Sequence, residues 1–528
     1  MIDFHRLRLL LDTVRYVTPS QRRARLRAMV SRTIRRVLRT RFTPPRDVRV
    51  APHVPIAAAR TEPHDGVTFR FLAQEIRDPR WNEPDAPRLW RFHLHYFDYA
   101  LDLDRDAFIR LARSWMRENV VMAGDGWHPY PLSLRVVNWS RALDFFPLDA
   151  EFAAELARSI YGQTRFLFSN LEHDVRGNHL LKNIRALIWS GVMFEGEEAR
   201  RWFEEGMRLL RIEVDEQLLA DGCHFERVPA YHAVVLRDLS ETAEWLRNNR
   251  TSPAWLDDAV ARMNGFLDAI TGPGGRLPLF KDTTLDTMVG SWQLAVGRRT
   301  EPQPTADGQL STGYYVFRDQ HAFLVADFGV PCPSYLPAHA HADMFSYELT
   351  VDGAPLIVDS GVYEYAAGQW RDWFRSTAAH NTVEIAGENQ SEVWGSFRVA
   401  RRAVPRSVRF TGTMLTGTSL TGEHDGYLRL RPPAIHRRTI EHLPDTAFII
   451  TDEILGTGVT EAKSYIHLHP DANWEPWRLV TEHPVEESEG WYSERFGEKR
   501  RNRVLVLRHK GAMPFRITYT IALRNTIP

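Results

Sequence analysis

The chain has 528 residues, which is too long for one ordinary hydrophobic core, so we expect two or three domains. Its composition, with 43% hydrophobic and 25% charged residues, is typical of a soluble globular protein. The formal net charge is zero, and we predict no nucleic-acid partner. The only two cysteines, Cys223 and Cys332, are too few for a disulfide framework and lack the spacing of metal ligands.

The N-terminal segment, residues 1–45, is strongly basic. Residues 1–41 contain twelve arginines and two aspartates, a net charge of +10, so the rest of the chain carries −10. From Leu26 to Leu38 apolar residues fall on one helical face and arginines on another, which predicts a basic amphipathic helix. Such a helix could contact an anionic membrane surface or a partner, or it could pack on the acidic remainder of its own chain.

A secretory signal is not visible in this segment. The apolar stretch Leu9–Leu11 is interrupted by Asp12 and is too short for the core of a signal peptide. No apolar run is long enough to span a membrane. We therefore expect a cytoplasmic or cell-envelope location, with a periplasmic one reached by another export route.

The middle of the chain is predicted to form helices, and the part after it is predicted to form strands. Apolar residues at three- and four-residue spacing predict helices over residues 107–120, 151–171, 179–194, 197–219, 231–248 and 255–270. Short loops between them indicate antiparallel helix pairs. From Tyr314 onward alternating patterns predict strands, with Asp352-Gly353 as a hairpin turn. Helices followed by strands, without alternation, favour two separate domains.

Three polar clusters stand at predicted helix starts. They contain His128, Tyr130, Arg135 and Asn138; then Asn178 and His179; then Arg227 and Tyr231. Each has a structural alternative, because Asn178 could cap a helix beginning at His179 and Tyr231 could be a half-buried anchor. Helix N-termini favour anions, so together the clusters suit a carboxylated or sulfated substrate.

The strand-rich half adds a cluster of potential metal ligands. His339 and His341 point to one face if their segment is extended, so one can bind a metal while the other transfers protons. With Asp359 and His380, His341 completes a common zinc set. Further along, three residues could line a glycan groove or lie at the surface: Arg371, Arg375 and Trp394.

These motifs resemble those of the heparinase II/III-like polysaccharide lyases. The resemblance covers nearly everything from about Leu89 onward and rests on several motifs in order: Gly126 to Tyr130, Gly177-Asn178-His179, His224 to His232, His339 to Asp343, and Arg375 to Thr382. It implies an incomplete (α/α) toroid over residues 46–305 followed by an antiparallel β-sandwich over residues 306–528. It also implies an active cleft between the two.

The resemblance further implies a reaction and roles for its residues. The family cleaves uronic-acid glycans by β-elimination, which needs a carboxylate neutraliser, a base at C5 and an acid at the C4 oxygen. Asn178 and His179 would hold the carboxylate. Tyr231 would be the acid, and also the base where both groups lie on one face of the sugar, with His339 as the alternative base. His341, Asp359 and His380 would bind a structural zinc ion.

Two alternatives remain beside a lyase. A C5 epimerase uses the same proton abstraction but keeps the C4 substituent, and a non-catalytic glycan-binding or assembly protein could keep the toroid. Many family lyases are secreted, whereas this chain begins with an arginine-rich segment. That difference favours a role in exopolysaccharide assembly or turnover, with an anionic polysaccharide as the partner.

Overall fold

The computed structural model describes residues 4–38, 44–45, 47–57, 63–286, 312–413, 417–475 and 477–523. Contacts divide the chain into two compact units. The β-unit comprises the described residues of Met1–Val17, Leu218–Val234 and Arg262–Pro528; the helical unit comprises those of Thr18–Gln217 and Val235–Ala261. The domain limits predicted at residues 45 and 305 stay predictions, and residue 305 lies outside the described residues.

Eleven α-helices occur in the part of the chain that the structure describes. Their bounds are α1 Phe4–Val14, α2 Pro19–Leu38, α3 Arg88–Tyr96, α4 Arg105–Glu118, α5 Pro129–Phe145, α6 Ala150–Phe168, α7 Gly177–Met193, α8 Glu197–Gln217, α9 Pro229–Asn249, α10 Ala254–Ile270 and α11 Gln369–Phe374. Carboxylate caps begin two of them, since Asp104 accepts from the Ala107 amide and Asp149 from the Phe152 amide. All six helices predicted over residues 107–270 are present, and each has at least one end shifted from its predicted position.

The strands form antiparallel sheets. Their bounds are β1 Thr68–Phe71, β2 Gln74–Arg77, β3 Tyr314–Arg318, β4 Ala322–Asp327, β5 Tyr347–Val351, β6 Ala354–Ile357, β7 Val383–Ile385, β8 Val393–Trp394, β9 Arg398–Val399, β10 Pro405–Thr413, β11 Gly417–His424, β12 Ala434–Leu443, β13 Ala447–Gly456, β14 Val459–His467, β15 Trp477–Val480, β16 Val485–Tyr492, β17 Arg500–Ala512 and β18 Phe515–Leu523. The larger sheets have the orders β3-β4-β5-β6, β10-β11-β12-β13-β18-β15 and β16-β17-β14-β7.

One hydrophobic core joins these three sheets. It includes Phe317 of β3, Ile440 of β12 and Leu507 of β17, all fully buried. The predicted hairpin between β5 and β6 is present, and Asp352 and Gly353 both have the positive φ values that a tight two-residue turn requires. The predicted fold class, a helical toroid followed by an antiparallel β-sandwich, is confirmed.

The N-terminal segment forms two helices. Arg8 of α1 donates to the Glu392 carboxylate at 2.9 Å, and the Trp394 indole donates to the Thr13 hydroxyl at 3.1 Å. Helix α1 thus packs on its own chain. Helix α2 contains the predicted Leu26–Leu38 helix, but its side chains from residue 30 onward lie outside the described part, so the alternatives considered for that helix stay predictions. No helix among the described residues is long and apolar enough to cross a membrane.

Candidate active site

Asp282 is the centre of a buried network in the β-unit. Its side chain is fully buried and accepts hydrogen bonds from His339 Nδ1 at 2.9 Å, His341 Nε2 at 2.8 Å and Arg371 Nη2 at 2.8 Å. Burial alone would raise the pKa of Asp282, but Arg371 and the two imidazoles hold it well below its ordinary value. Asp282 is therefore a permanent anion that positions three functional side chains.

Lys281, the residue before Asp282, ties down the same loop from a second point. Its buried ammonium pairs with Asp327 and, at 3.3 Å, with Asp343. Because Asp282 binds His339 and His341 while Lys281 binds Asp343, two consecutive residues hold the segment from His339 to Asp343 along its length. Arg375 supports it further by donating to the Ala340 carbonyl at 2.9 Å. This segment is consequently rigid enough to present His339 in a defined orientation.

His339 stacks directly on Tyr231. The two ring centroids lie 3.9 Å apart with an interplanar angle of 27°, and 11% of the His339 side chain is exposed. Tyr231 is the third residue of α9, and its hydroxyl lies 3.0 Å from the Tyr365 hydroxyl. The structure therefore brings together the two residues that the sequence predicted for proton transfer.

The partners of His339 determine which of its nitrogens can accept a proton. An ionised carboxylate only accepts hydrogen bonds, so His339 Nδ1 must carry the proton that Asp282 receives. In the neutral ring the lone pair then resides on Nε2, which lies 3.6 Å from a carboxylate oxygen of Glu226. A buried anion behind a histidine stabilises the imidazolium that forms when Nε2 takes up a proton. The arrangement suits a general base.

The predicted zinc ligands lie close together in the same unit. The rings of His341 and His380 have centroids 5.3 Å apart, and both are fully buried. His341 Nδ1 and His380 Nε2 lack hydrogen-bond partners among the described residues, while His380 Nδ1 lies 2.9 Å from the Asp359 carboxylate. Burial lowers the pKa of His341 to about 4 despite Asp282, so its ring is neutral near neutral pH, as a metal ligand must be.

These residues are of the types that bind zinc, but they are not arranged as a complete set of zinc ligands. Two buried imidazole nitrogens and a carboxylate are common zinc ligands. However, Asp359 is engaged by His380, and within the described ranges no group of three or more His, Cys, Asp or Glu side chains is arranged to hold a metal ion. Zinc binding therefore stays a prediction.

A second histidine–carboxylate pair lies in the helical unit. His179 Nδ1 lies 3.0 Å from the Glu172 carboxylate, whose other oxygen accepts from the Asn183 amide at 3.0 Å. His128 approaches the same carboxylate at 3.8 Å, and the Tyr130 ring packs on His179 with centroids 4.2 Å apart. Burial would raise the pKa of Glu172, but His179, His128 and Asn183 together lower it. Predicted residues His128, Tyr130 and His179 thus form one cluster.

Asn178 does not cap its helix, contrary to the structural alternative considered from the sequence. Helix α7 begins at Gly177, so Asn178 is its second residue and is only 4% exposed. The cap position is Arg176, in a positive-φ conformation and without a side-chain capping bond. The first turn of α7 thus begins with a glycine and an asparagine and lacks the carboxylate or hydroxyl cap that the sequence rule favours.

Three arginines predicted to bind substrate are buried. Arg135 donates to Gln163 and to the carbonyls of His95 and Gly126, and its guanidinium lies 3.7 Å from the Trp115 ring centroid. Arg371 is bound to Asp282, and Arg375 to backbone carbonyls. These donors are used inside the protein, and substrate contact by the three arginines stays a prediction.

The remaining predicted contact residues are partly exposed. Asn138 donates to the Tyr96 carbonyl at 3.0 Å and to Asp98. The backbone carbonyl of Arg227 accepts from the Tyr314 hydroxyl at 2.9 Å, and Trp394 contacts α1 through Thr13. Substrate contact by Asn138, Arg227 and Trp394 stays a prediction.

Comparisons with known proteins match most of the chain to two family models. Residues 104–296 match the family model described as heparinase II/III N-terminus, and residues 302–520 match that described as heparinase II/III-like, C-terminal. The chain belongs to the heparinase II/III-like family.

Individual relatives of this heparinase II/III-like chain are distant. It is 24% identical to the heparin-sulfate lyase of Bacteroides stercoris over 70% of this chain and 57% of the relative, and 24% identical to that of Pedobacter heparinus over 78% and 67%. A Caulobacter vibrioides relative named FtsZ-localized protein C is 24% identical over 59% and 54%. The chain thus spans between about half and two thirds of the lengths of these relatives.

Solved structures support the fold. A crystal structure of heparinase III superposes with a TM-score of 0.67 and 18% identity, covering 84% of this chain and 79% of that one. At this identity the likeness shows a shared architecture.

Sequence reasoning missed two carboxylates and one tyrosine in the clusters described above, which lie one in each unit. Asp282 follows Phe280-Lys281 in a loop, Glu172 precedes a helix start, and Tyr365 lies in a loop beyond Asp359. A histidine that must be oriented needs a carboxylate or carbonyl partner, and that rule could have prompted a search. It could not have selected these partners from 67 acidic residues.

Proposed function

We propose that the chain is a polysaccharide lyase that cleaves a uronic-acid-containing glycan by β-elimination. The observation that carries the proposal is the Tyr231–His339 stack, with His339 held by the buried Asp282 anion. Membership of the heparinase II/III-like family supports it, as does the naming of two relatives as heparin-sulfate lyases. The substrate class is an anionic polysaccharide.

The proposed reaction has two proton transfers, one from C5 to the base and one from the acid to the departing C4 oxygen. His339 Nε2 takes the C5 proton, the C4–C5 double bond forms, and the C4–O bond breaks. The Tyr231 hydroxyl donates a proton to the departing C4 oxygen and serves as the base too where both groups lie on one face of the sugar. Tyr365, within hydrogen-bond distance of the Tyr231 hydroxyl, positions that hydroxyl. Binding of the uronate carboxylate by Asn178 and His179 remains part of the proposal.

An absorbance assay tests this proposal. The purified chain is incubated with heparan sulfate, alginate, polygalacturonate and the exopolysaccharide of the producing cell, and the ultraviolet signal of the new double bond is followed. Tyr231→Phe should lower turnover by about 10²- to 10⁴-fold and leave the fold intact, because it removes only the transferable proton. Tyr465→Phe, at a buried tyrosine whose hydroxyl donates to Glu384, is the matched control. A fully active Tyr231→Phe enzyme would contradict the assignment.

A uronate C5 epimerase is the first alternative. It shares the base and the carboxylate site, but the proton returns to the opposite face of C5 and the chain stays intact. Incubation in deuterated water separates the two reactions. Deuterium at C5 without an ultraviolet signal or shorter chains would establish the epimerase and exclude the lyase.

A non-catalytic role in assembly is the second alternative, favoured by one relative named for its localisation with FtsZ rather than for a reaction. It predicts glycan binding without any product or deuterium uptake after prolonged incubation. It also predicts that Tyr231→Phe behaves like the unaltered chain in every assay.

We also propose that His341, Asp359 and His380 bind a structural zinc ion. The ion would cross-link the loop of His341 to that of His380 and so steady the neighbouring His339. Metal analysis of protein purified from zinc-supplemented cells should give about one equivalent. His380→Ala should lose it, whereas His469→Ala, at a histidine outside the cluster, should keep it. Zinc-free protein from such cells would contradict the proposal.

The N-terminal helix α1 is proposed to contact an anionic membrane. Its inner face is held by Arg8, the buried Leu9 and Thr13, whereas Phe4, Leu7, Leu11 and Val14 form an exposed apolar stripe at i, i+3, i+7 and i+10. The net charge of +10 over residues 1–41 suits anionic headgroups. This would keep the chain at the cytoplasmic or envelope side of a membrane.

Vesicle sedimentation tests that contact. The full chain should sediment with phosphatidylglycerol-containing vesicles and remain in solution with phosphatidylcholine alone. The double change Leu7→Asp and Leu11→Asp should abolish sedimentation, whereas Val459→Asp, at an exposed valine elsewhere, should not. Equal sedimentation of all three proteins would contradict the proposal.

A further inference from the structure

A group of aromatic and basic side chains, outside the site described so far, forms what we call the aromatic–basic cluster: Tyr363, Trp370, Trp491, Lys499 and Arg501. The Lys499 ammonium lies 3.9 Å from the Tyr363 ring centroid, 4.2 Å from that of Trp370 and 5.3 Å from that of Trp491. The Arg501 guanidinium lies 3.9 Å from the Trp491 centroid. Three aromatic rings and two cations therefore share one partly exposed surface of the β-unit.

The secondary structure explains why these side chains meet. Trp491 and Arg501 are register partners on neighbouring strands β16 and β17, so they project from the same face of the sheet. Trp370 is the second residue of α11 and packs edge-on against Trp491 with centroids 5.2 Å apart. The Gly497 amide donates to the Tyr363 carbonyl at 2.8 Å, which brings the chain before Lys499 to the Tyr363 loop. The cluster is thus assembled on rigid elements.

The charge of the cluster is only weakly compensated. Lys499 has no ion pair within the part of the chain that the structure describes. Arg501 approaches Glu489 at 3.6 Å, but both side chains are more than half exposed. Exposed pairs of this kind contribute little and exchange readily for another anion. A ligand carboxylate or sulfate can therefore approach both cations.

A groove adjoins the cluster at Arg501. It has a volume of about 800 Å³, and its lining includes Trp474, Asn502 and Arg503. Trp474 Nε1 and Asn502 Oδ1 lack hydrogen-bond partners among the described residues. Unsatisfied buried polar atoms call for an explanation, and a polar ligand is one. Glu487 and Glu489 also line the groove and lie 4.0 Å from Arg503 and 3.6 Å from Arg501, so an anionic ligand at these guanidiniums exchanges with exposed carboxylates.

We propose that the aromatic–basic cluster and the adjoining groove bind a uronate-containing oligosaccharide at a subsite separate from the Tyr231–His339 centre. Flat aromatic rings pack against the C–H faces of pyranose rings, and Lys499 and Arg501 pair with their carboxylates or sulfates. The inference rests on the proposed function for the substrate class. Two chain connections link the subsite to the centre, because Tyr363 lies two residues before Tyr365 and Trp370 directly precedes Arg371.

Calorimetric binding to the full chain carrying Tyr231→Phe tests the subsite without turnover. The probes are oligosaccharides of heparan sulfate, alginate and polygalacturonate, each beside its carboxyl-reduced form. Lys499→Glu should weaken binding of the acidic probe by about tenfold or more, and Trp491→Ala by about tenfold. Lys510→Glu makes the same charge change at an exposed position of β17, the strand that begins directly after Lys499, and should leave the affinity unchanged.

The controls separate a binding role from a structural brace. Lys499→Glu keeps all three rings but loses its cation–π contacts with them, so its melting temperature is measured as well. If the variant is still folded at the temperature of the calorimetry, a loss of affinity does not come from unfolding. Its effect should disappear for the carboxyl-reduced forms of the alginate and polygalacturonate probes, which carry no sulfate. Equal affinities of the Lys499→Glu, Trp491→Ala and Lys510→Glu proteins would overturn the subsite.

Failure of the subsite is distinguishable from failure of the proposed function. With Tyr231 restored, cleavage of a probe whose KM is unaffected by Lys499→Glu refutes the subsite and leaves the lyase in place. Binding that depends on Lys499 and Trp491, without cleavage or deuterium uptake, supports the subsite and refutes the lyase. A KM raised by Lys499→Glu with kcat unchanged supports both.

Discussion

The two units each contain a histidine held by a carboxylate, and the two carboxylates are held differently. Asp282 is fully buried and is neutralised by the Arg371 guanidinium, whereas Glu172 is held by the neutral Asn183 amide and two imidazoles. The side chain of His339 is 11% exposed and that of His179 is 33% exposed. Asp282 is therefore a locked anion with a guanidinium counter-ion, whereas Glu172 is held by an amide and by imidazoles.

This difference supports the proposed division of labour. A base needs an orientation that does not change during the reaction, which a permanent anion and a bidentate arginine provide. A group that binds a substrate carboxylate needs some exposure, and the side chain of His179 is more exposed than that of His339. The Asp282–His339 pair thus suits proton transfer, and the Glu172–His179 pair suits substrate binding.

Removing the charge of Asp282 should have the largest effect on stability. Asp282→Asn leaves the buried Arg371 guanidinium without its counter-ion, which costs about 3–5 kcal/mol. Urea unfolding measures this loss. Asp471→Asn, at an exposed aspartate paired with Arg500, should leave the free energy of unfolding nearly unchanged. If the two variants unfold alike, Asp282 is not the locked anion of the comparison.

Replacing the two histidines should separate the two proposed roles. His339→Gln should lower kcat by about 10²-fold or more with a small change in KM, because it removes a proton-transfer group. His179→Gln should raise KM as well, because it removes a group that binds the substrate before reaction. His321→Gln, at an exposed histidine paired with Asp352, is the control. Identical kinetic changes in both variants would argue against a division of labour.

Neutralising Glu172 should have the smallest effect, with a particular pH dependence. Glu172→Gln keeps the shape and should cost about 1 kcal/mol at pH 7. The pKa of Glu172 is lowered from 4.5, so the stability from its charge is present above pH 4.5 and is lost as the pH falls through the lowered value. Urea unfolding of both proteins at pH 7, 5 and 4 should show a difference that shrinks only at the lowest pH. A difference that grows between pH 5 and pH 4 would contradict this sign.

Much of the local structure was predictable because it depends on local patterns. Helix α4 begins at Arg105 where periodicity predicted 107, and α10 ends at Ile270 as predicted. Spacing in the chain also brought His339 and His341 together, since they are separated by one residue. A period of 3.6 or 2 residues is visible in any sequence window, so these features need no knowledge of the rest of the chain.

Burial and long-range pairing determined the features that local patterns could not predict. The sequence by itself determined the helix and strand segments and the hairpin at Asp352-Gly353, and the family resemblance supplied the candidate proton-transfer pair. Only the tertiary structure placed Asp282 on His339 across 57 residues and on Arg371 across 89, and turned Arg135, Arg371 and Arg375 from exposed candidates into buried supports. A sequence does not show whether an arginine or a carboxylate is buried or exposed. Only packing in the folded chain removes the water that would otherwise bind these groups.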